Sequence, residues 1–419
     1  MINHTDTKIN VEIMKQFNLL SVLNIIRTQG PISRAEIADK IELSRPSVSE
    51  IVRELVISEW IRELPASRTH RGRRPVPLDI NPTGRYILGV SVVAFHLTVL
   101  LTGLNGEPMA EISRPIERDG SPEEALELAC QMCEDLIRDY DIPRGKILGV
   151  GVAMHGMVDP QNGRAIYAPH LGWRDIAVGS FIEQRLALQT FVEADSNSTA
   201  LAELWFGAGG GSRHFVAMVV DYGIGAGIVY DGKLYRGANH IDGQIGHTTV
   251  DEHGPLCTCG NFGCLEVMAS EPSIVHQVEQ RIRSRESSEV IVSDGVGTMD
   301  SNIEAVYRSA RAGDRTAVEV LRIAGKYVGL SMTTIINVIN PQFIVLSGGF
   351  TGAADIVLPV IREVIRARSF NDVGKETPVL ISPLGKRVYS IGAVALVLDH
   401  VFGAPETLIP LLNIEKLLS

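Results

Sequence analysis

Cysteine is scarce in this chain of 419 residues: there are five, an odd number, and three of them lie between positions 257 and 264. An odd, clustered set cannot be the framework of a disulfide-stapled fold, and a Cys-Thr-Cys pair does not readily close on itself. Long apolar runs are missing as well. The longest are broken by Gly, Asn or charge within about a dozen residues, too short to span a bilayer. The first thirty residues hold Asp6, Lys8, Glu12 and Lys15 where a secretory leader would need an apolar run closed by small residues. A cytoplasmic protein with reduced thiols is expected. Positive charge is also in deficit: the net charge of −10 would exclude nucleic acid if it were spread evenly. It is not. Residues 1–80 carry twelve Lys/Arg against ten Asp/Glu, and Arg68, Arg71, Arg73 and Arg74 fall within seven positions. Local concentration, not total charge, sets affinity for DNA.

What is present divides the chain in three. In 1–80, residues 11–28 read as a helix stopped by Gly30-Pro31. Ser33-Arg-Ala-Glu36 is a capping-box start, in which Ser and Glu each satisfy a free backbone N–H. Ser44 caps a further helix that tolerates Pro46 in its first turn. That helix buries Val48, Ile51, Val52 and Leu55 and turns Arg45, Ser47, Ser49 and Arg53 outward. Two short helices around a tight turn form a helix-turn-helix. Strands at Trp60–Leu64 and Val76–Ile80 flank the arginine-rich loop, which makes a winged helix. Base reading is expected from Arg45, Ser47 and Ser49, with Arg53 beside them. The slim Arg71-Gly72-Arg73-Arg74 wing suits a narrow minor groove of double-stranded operator DNA.

From residue 81 onward strands alternate with helices. Strands Tyr86–Val93 and Leu97–Leu101, a helix Pro122–Tyr140 and a strand Ile147–Met154 form one set. Strands Val216–Val220 and Gly227–Tyr230, a helix Thr316–Val338, a strand Phe343–Leu346 and a helix from Ala353 to Arg368 repeat the plan. Two similar α/β lobes, 81–195 and 196–419, with a cleft between them are expected. Cys130 and Cys133 form a CxxC on the first long helix, without the turn a redox pair requires, and read as core thiols.

The remaining cysteines carry chemistry. His247, Cys257, Cys259 and Cys264, with Gly260 and Gly263 folding the loop back, offer one imidazole and three thiolates at a spacing that suits tetrahedral Zn²⁺. Four protein ligands leave no open position for water, so a structural ion is expected and no catalytic residue is assigned to it. Glu266 follows the last cysteine at a fixed distance.

Together these segments resemble the ROK family (repressors, open reading frames, kinases), within it the sugar-responsive repressors of the xylose-repressor kind. The likeness covers nearly the whole chain. It rests on Gly246-His247…Cys257-Thr-Cys259-Gly260…Gly263-Cys264-Leu-Glu266 and on the winged helix with its Arg-Gly-Arg-Arg-Pro wing. It implies a carboxy-terminal two-lobed actin/hexokinase-like (ribonuclease H-like) fold, a homodimer or homotetramer, and a sugar effector in the cleft. Family members hold sugar through a Glu-Asn-Asp-Ala-Asn segment, a Glu before the zinc histidine, that histidine, and the Glu after the last cysteine. Here Glu193-Ala-Asp195-Ser-Asn197 matches the first, Gln244 replaces the Glu, and His247 and Glu266 match. Gly151-Val-Ala-Met-His-Gly156 and His170-Leu-Gly-Trp173 correspond to two further cleft loops. The resemblance therefore implies sugar contacts from Asp195, Asn197, Gln244, His247, Glu266, Gly156 and His170.

The kinases of the family need Asp-x-Gly-Gly-Thr after the first strand so that backbone N–H groups can approach a triphosphate. Here that run is Ser91-Val-Val-Ala-Phe95, and the second phosphate loop reads Asp221-Tyr-Gly-Ile-Gly225. Only Ser347-Gly-Gly349 persists. A repressor without enzymatic activity is expected; the alternative is an ATP-dependent sugar kinase carrying a DNA-binding head. The sugar, xylose among the candidates, and its role as inducer or co-repressor stay open.

Overall fold

The computed structural model describes residues 4–65, 68, 69, 72, 73, 75–93, 95–117, 120–284, 286–292 and 299–403. Helices α1 (His4–Gln29), α2 (Arg34–Ile41) and α3 (Arg45–Ile57) open the chain. The capping box is present: Glu36 N–H donates to Ser33 Oγ at 3.3 Å, and Ser33 N–H donates to Glu36 Oε2 at 2.9 Å. Ser44 Oγ caps α3 through Ser47 N–H at 3.2 Å. Val48, Ile51, Val52 and Leu55 pack with Leu19, Leu23, Ile26 and Ile37. Strands Ile32–Ser33, Pro77–Ile80 and Ile61–Glu63 form a small antiparallel sheet in that order, and Arg68–Thr69 pairs with Gly72–Arg73 in the wing. Trp60 does not enter the strand; it is fully buried.

Two five-stranded sheets follow. In the first the order is 190–194, 147–154, 86–93, 96–103, 108–115; in the second it is 233–234, 224–230, 215–220, 343–347, 379–381. Each centres on an antiparallel pair extended by parallel strands, which is the repeated plan expected from sequence. Helices α4 (Pro122–Asp139) and α5 (Val178–Leu186) cover the outer face of the first sheet. Cys130 and Cys133 are core thiols there, and burial pushes Cys130 up to about 12.

Two helices fill the space between the lobes. One is α6 (Asp195–Phe206), buried without interruption from Ser196 to Glu203. It lies on the second sheet, where a Cβ on Gly227 would meet Ala200 Cβ and Ser196 O at 2.5 Å. The other is the carboxy-terminal helix Val388–Gly403, apolar on all sides. A Cβ on Gly151 would stand 1.8 Å from Ala393 O, so this helix rests directly on the first sheet. A division of the lobes at 195/196 therefore does not follow the packing. It falls in the first turn of α6, and residues 388–403 return to the first lobe because their apolar surface has the first sheet to cover.

The head is not a separate bead either. Its core residues Leu23, Trp60 and Leu78 belong to one apolar cluster with Ala202, Val397 and Phe402 of the body. Arg27 of α1 lies over the Trp205 ring at 4.0 Å, and Trp60 meets Phe402 edge to face at 6.1 Å.

Candidate effector and metal sites and the nucleic-acid face

The loop after residue 244 folds back through paired segments. Thr249 bridges to Cys264 and Leu256 to Phe262, and Cys257 N–H donates to Asn261 O at 2.7 Å. Gly263 must be glycine: φ is +60°, and a Cβ would stand 1.5 Å from Asp251 O. Tyr327 Oη donates to Asp251 Oδ2 at 3.0 Å and ties the loop to the helix Arg315–Ile339.

This folding gathers one ligand atom each from His247, Cys257, Cys259 and Cys264 within 4.8 Å of one another. His247 Nδ1 is 3.6 Å from Cys257 Sγ, and Cys259 Sγ is 3.7 Å from Cys264 Sγ. A tetrahedron with metal–sulfur bonds of about 2.3 Å has edges of about 3.8 Å. The set is thus already at metal-binding separation. Because Nδ1 faces the thiols, Nε2 is the nitrogen of His247 available to the cleft.

The cleft holds a cavity of about 170 Å³, small beside the several hundred Å³ of a drug-sized site. Asp195, Gln244, His247, Glu266 and Gly156 line it, and Thr258 and Cys259 make the loop of the His/Cys cluster part of its wall. Glu266 stands in the first turn of α7 (Leu265–Ala269), buried, with Ile224 N–H donating to Oε2 at 3.3 Å. Gly223 leaves room for this carboxylate: a Cβ there would lie 3.2 Å from Glu266 Oε2 and from His155 Cε1.

Two expected residues lie elsewhere. The Asn197 amide donates to Glu193 Oε1 at 3.3 Å and to Asp242 Oδ2 at 3.1 Å, in a polar network that also takes in Arg236. His170 is not on the wall but stacks behind His155, with ring centroids 4.5 Å apart. Both departures come from the turn of a helix or short loop that spacing cannot fix.

His155 itself lines the cavity, and its Nδ1 lies 3.0 Å from Asp195 Oδ2. Burial opposes its charged form, but the Asp195 hydrogen bond and the charges of Asp195, Glu266 and Asp221 outweigh it, so its pKa is raised. The sequence signal was present in a lone His between a buried strand and a glycine, but without the Asp195 contact it carried no role.

A second cavity of about 730 Å³ adjoins the first, lined among others by Ser91, Asp221, Glu271, Tyr307 and Lys386. Val93, Tyr222 and Tyr389 stand on both walls. Tyr222 is wedged edge-on between Phe95 and His170, at 5.2 Å and 4.8 Å. Asp221 accepts from Tyr222 N–H, Gly349 N–H and Tyr389 Oη, three of its roughly four acceptor sites. Glu271, buried against it, is the partner that keeps a proton. Burial first, then the charge of Asp221, pushes its pKa up to about 9.

On the head, Arg45, Ser47, Ser49 and Arg53 are all exposed on one side of α3. Ser47 and Ser49 also bond within the helix, to Ser44 Oγ and Arg45 O. Arg71 and Arg74 lie outside the described residues; the backbone of Arg73 pairs with Arg68.

A winged helix, a two-lobed body whose cleft is walled in part by a His/Cys₃ cluster able to hold a metal, and an adjoining partitioned cavity define a ligand-regulated DNA-binding class of protein. Residues 87–400 match the ROK family, and residues 18–67 match the MarR family. The chain belongs to the ROK family. It is 30% identical over 397 residues to the putative xylose repressor of Caldicellulosiruptor sp. (strain Rt8B.4), covering 95% of this chain and 99% of that one. It is 32% identical over 389 residues to the DNA-binding transcriptional dual regulator NagC of Escherichia coli (strain K12), covering 93% and 94%. Among solved structures, a ROK family transcriptional regulator, homolog of the E. coli MLC protein, superposes with a TM-score of 0.80 at 29% identity, over 95% of this chain and 99% of that one. A ROK family glucokinase from Streptomyces griseus in complex with glucose and AMPPNP superposes with 0.67 at 26% identity, over 74% and 98%. Among the described residues no helix is long and apolar enough to cross a membrane.

Proposed function

We propose that this protein is a sugar-responsive transcriptional repressor of carbohydrate-utilisation genes, acting in the cytoplasm as a homodimer or homotetramer on double-stranded operator DNA. One observation carries the reading: a single buried helix has a cavity residue, Asp195, in its first turn and a head contact, Trp205, in its last. At 1.5 Å per residue α6 spans about 18 Å. Sugar entering the cavity favours one closure of the lobes on α6. The far end of α6 then shifts the Arg27–Trp205–Phe402 seat of the head, and two heads on a palindromic operator lose their common spacing. The switch requires that sugar bind the two states with different affinity.

Arg45, Ser47, Ser49 and Arg53 address the major groove, while Arg71, Arg73 and Arg74 follow the backbone or the minor groove. Zn²⁺, held by His247 and the three cysteines, supplies rigidity to the cavity wall and takes no part in chemistry. Asp195, Gln244, His247, Glu266 and Gly156 surround the sugar; Asn197 and His170 support from behind. The kinase alternative is disfavoured by the Tyr222 partition, which stands between the sugar cavity and the space a nucleotide would use. The test is operator selection from random duplexes, followed by titration with monosaccharides. A sugar that raises the melting temperature must bind the native state, and it should also change operator affinity by about tenfold or more. Sugar-dependent ADP production would overturn the reading.

A further inference from the structure

We propose that His155 is the specificity-determining residue of this cavity, meeting a hydroxyl of a neutral, unphosphorylated monosaccharide through Nε2, with Asp195 acting through it as a positioning residue. The assignment rests on the effector reading above and narrows it. Asp195 already has one hydrogen bond on each oxygen: Oδ1 accepts Ser196 N–H at 2.7 Å and Oδ2 accepts His155 Nδ1–H at 3.0 Å, so its orientation is set by the ring it holds. An ionised carboxylate only accepts, so the ring carries its hydrogen on Nδ1. That leaves Nε2 at the opposite end of the ring, buried and without a hydrogen-bond partner among the described residues. The ring cannot turn away. His170 stacks on one face at 4.5 Å and 26°, Asp195 pins one nitrogen, and Gly223 lies so near that a Cβ on it would stand 3.2 Å from Cε1. A buried nitrogen held this way and left unsatisfied is costly, and a ligand atom removes the cost.

The atom that fits is a hydroxyl oxygen. It accepts from Nε2–H when the ring is charged and donates to Nε2 when the ring is neutral, so it satisfies either state. An anionic group does not fit. Glu266 and Asp195 line the cavity, Asp221 lies close enough to act on His155, and no Lys or Arg stands among the described residues of its wall. A phosphate there would face the carboxylates of Glu266 and Asp195 with no Lys or Arg among those residues beside it to pair with. A cavity of about 170 Å³ matches a small ligand such as a monosaccharide.

The test uses the full chain loaded with zinc and calorimetric titration of D-xylose, D-glucose, N-acetyl-D-glucosamine and the 6-phosphates of the last two. A free sugar should bind and its phosphate should bind at least about tenfold more weakly. A phosphate that binds better than its parent sugar overturns the neutral-ligand assignment while leaving the effector reading intact. If nothing in the panel binds, the effector reading falls and this assignment with it. For the sugar that binds, His155→Asn keeps a donor near Asp195 but loses the distal nitrogen, and affinity should fall by about tenfold or more. His155→Gln places an amide near the position of Nε2 and should stay within about threefold of the original. Wild-type affinity in His155→Asn overturns the role. Should both variants melt early, the ¹⁵N resonance of His155 Nε2 in the unaltered protein decides: it must move on saturation, and a stationary resonance sinks the proposal.

Discussion

The two cavities share the residues of one partition and differ in almost everything else. The smaller has its polar groups fixed from outside: the metal loop sets His247, α7 sets Glu266, and Asp195 with His170 sets His155. The larger keeps its polar groups satisfied among themselves. Asp221 accepts from two backbone N–H groups and Tyr389, and Glu271 accepts a hydrogen bond from the Tyr307 hydroxyl at 2.8 Å while keeping its own proton. A site whose donors and acceptors point at a void is built to receive a ligand; one whose acceptors are consumed internally is built to stay as it is. Tyr222, packed edge-on against Phe95 and His170, stands on the wall that the two cavities share.

Breaking the wall of the small cavity should have the largest effect. Cys257→Ser should remove nearly all bound metal as read by elemental analysis, lower the melting temperature and abolish the response to sugar, since structural zinc sites contribute on the order of 10 kcal/mol. Unchanged metal content would refute the ligand set. A smaller effect separates the cavities directly. Glu266→Ala should weaken sugar binding by roughly 30-fold, the worth of a charged hydrogen bond, with operator affinity held within about twofold. Lys386→Ala on the wall of the large cavity should leave sugar affinity unaltered; equal losses in the two variants would erase the distinction. The smallest effect concerns pH. Glu271 has a folded pKa of about 9 against an ordinary value of 4.5. Its contribution to stability is therefore fully present below about pH 4.5 and is lost as pH rises toward 9. Glu271→Gln should be more stable than the original at about pH 8, by roughly 1–3 kcal/mol, with the margin vanishing near pH 4. A margin independent of pH would mean that Glu271 is ionised in the fold.

The clustering of His247 with the three cysteines and the helix-turn-helix were legible because their signals are local: four side chains within eighteen positions, and caps that announce each helix start. The doubled α/β plan was legible from alternating strands and helices. The edge strand Pro108–Pro115 was not, because its exposed face gives no apolar periodicity. Nor was α6, whose Ser, Asn and Thr residues are buried and polar and so defeat an amphipathic reading. His155 was invisible for a related reason. Its partners are forty and fifteen positions away, at Asp195 and His170, and only the closed cleft brings the three together.

The continuity of α6 bears on how such a regulator can change over generations. On the proposed coupling, a substitution at Asp195 in its first turn acts ten residues on, at Trp205, in the seat of the DNA-binding head. If α6 couples the two ends in this way, adaptation to a new sugar should leave compensating changes around Arg27, Trp205 and Phe402.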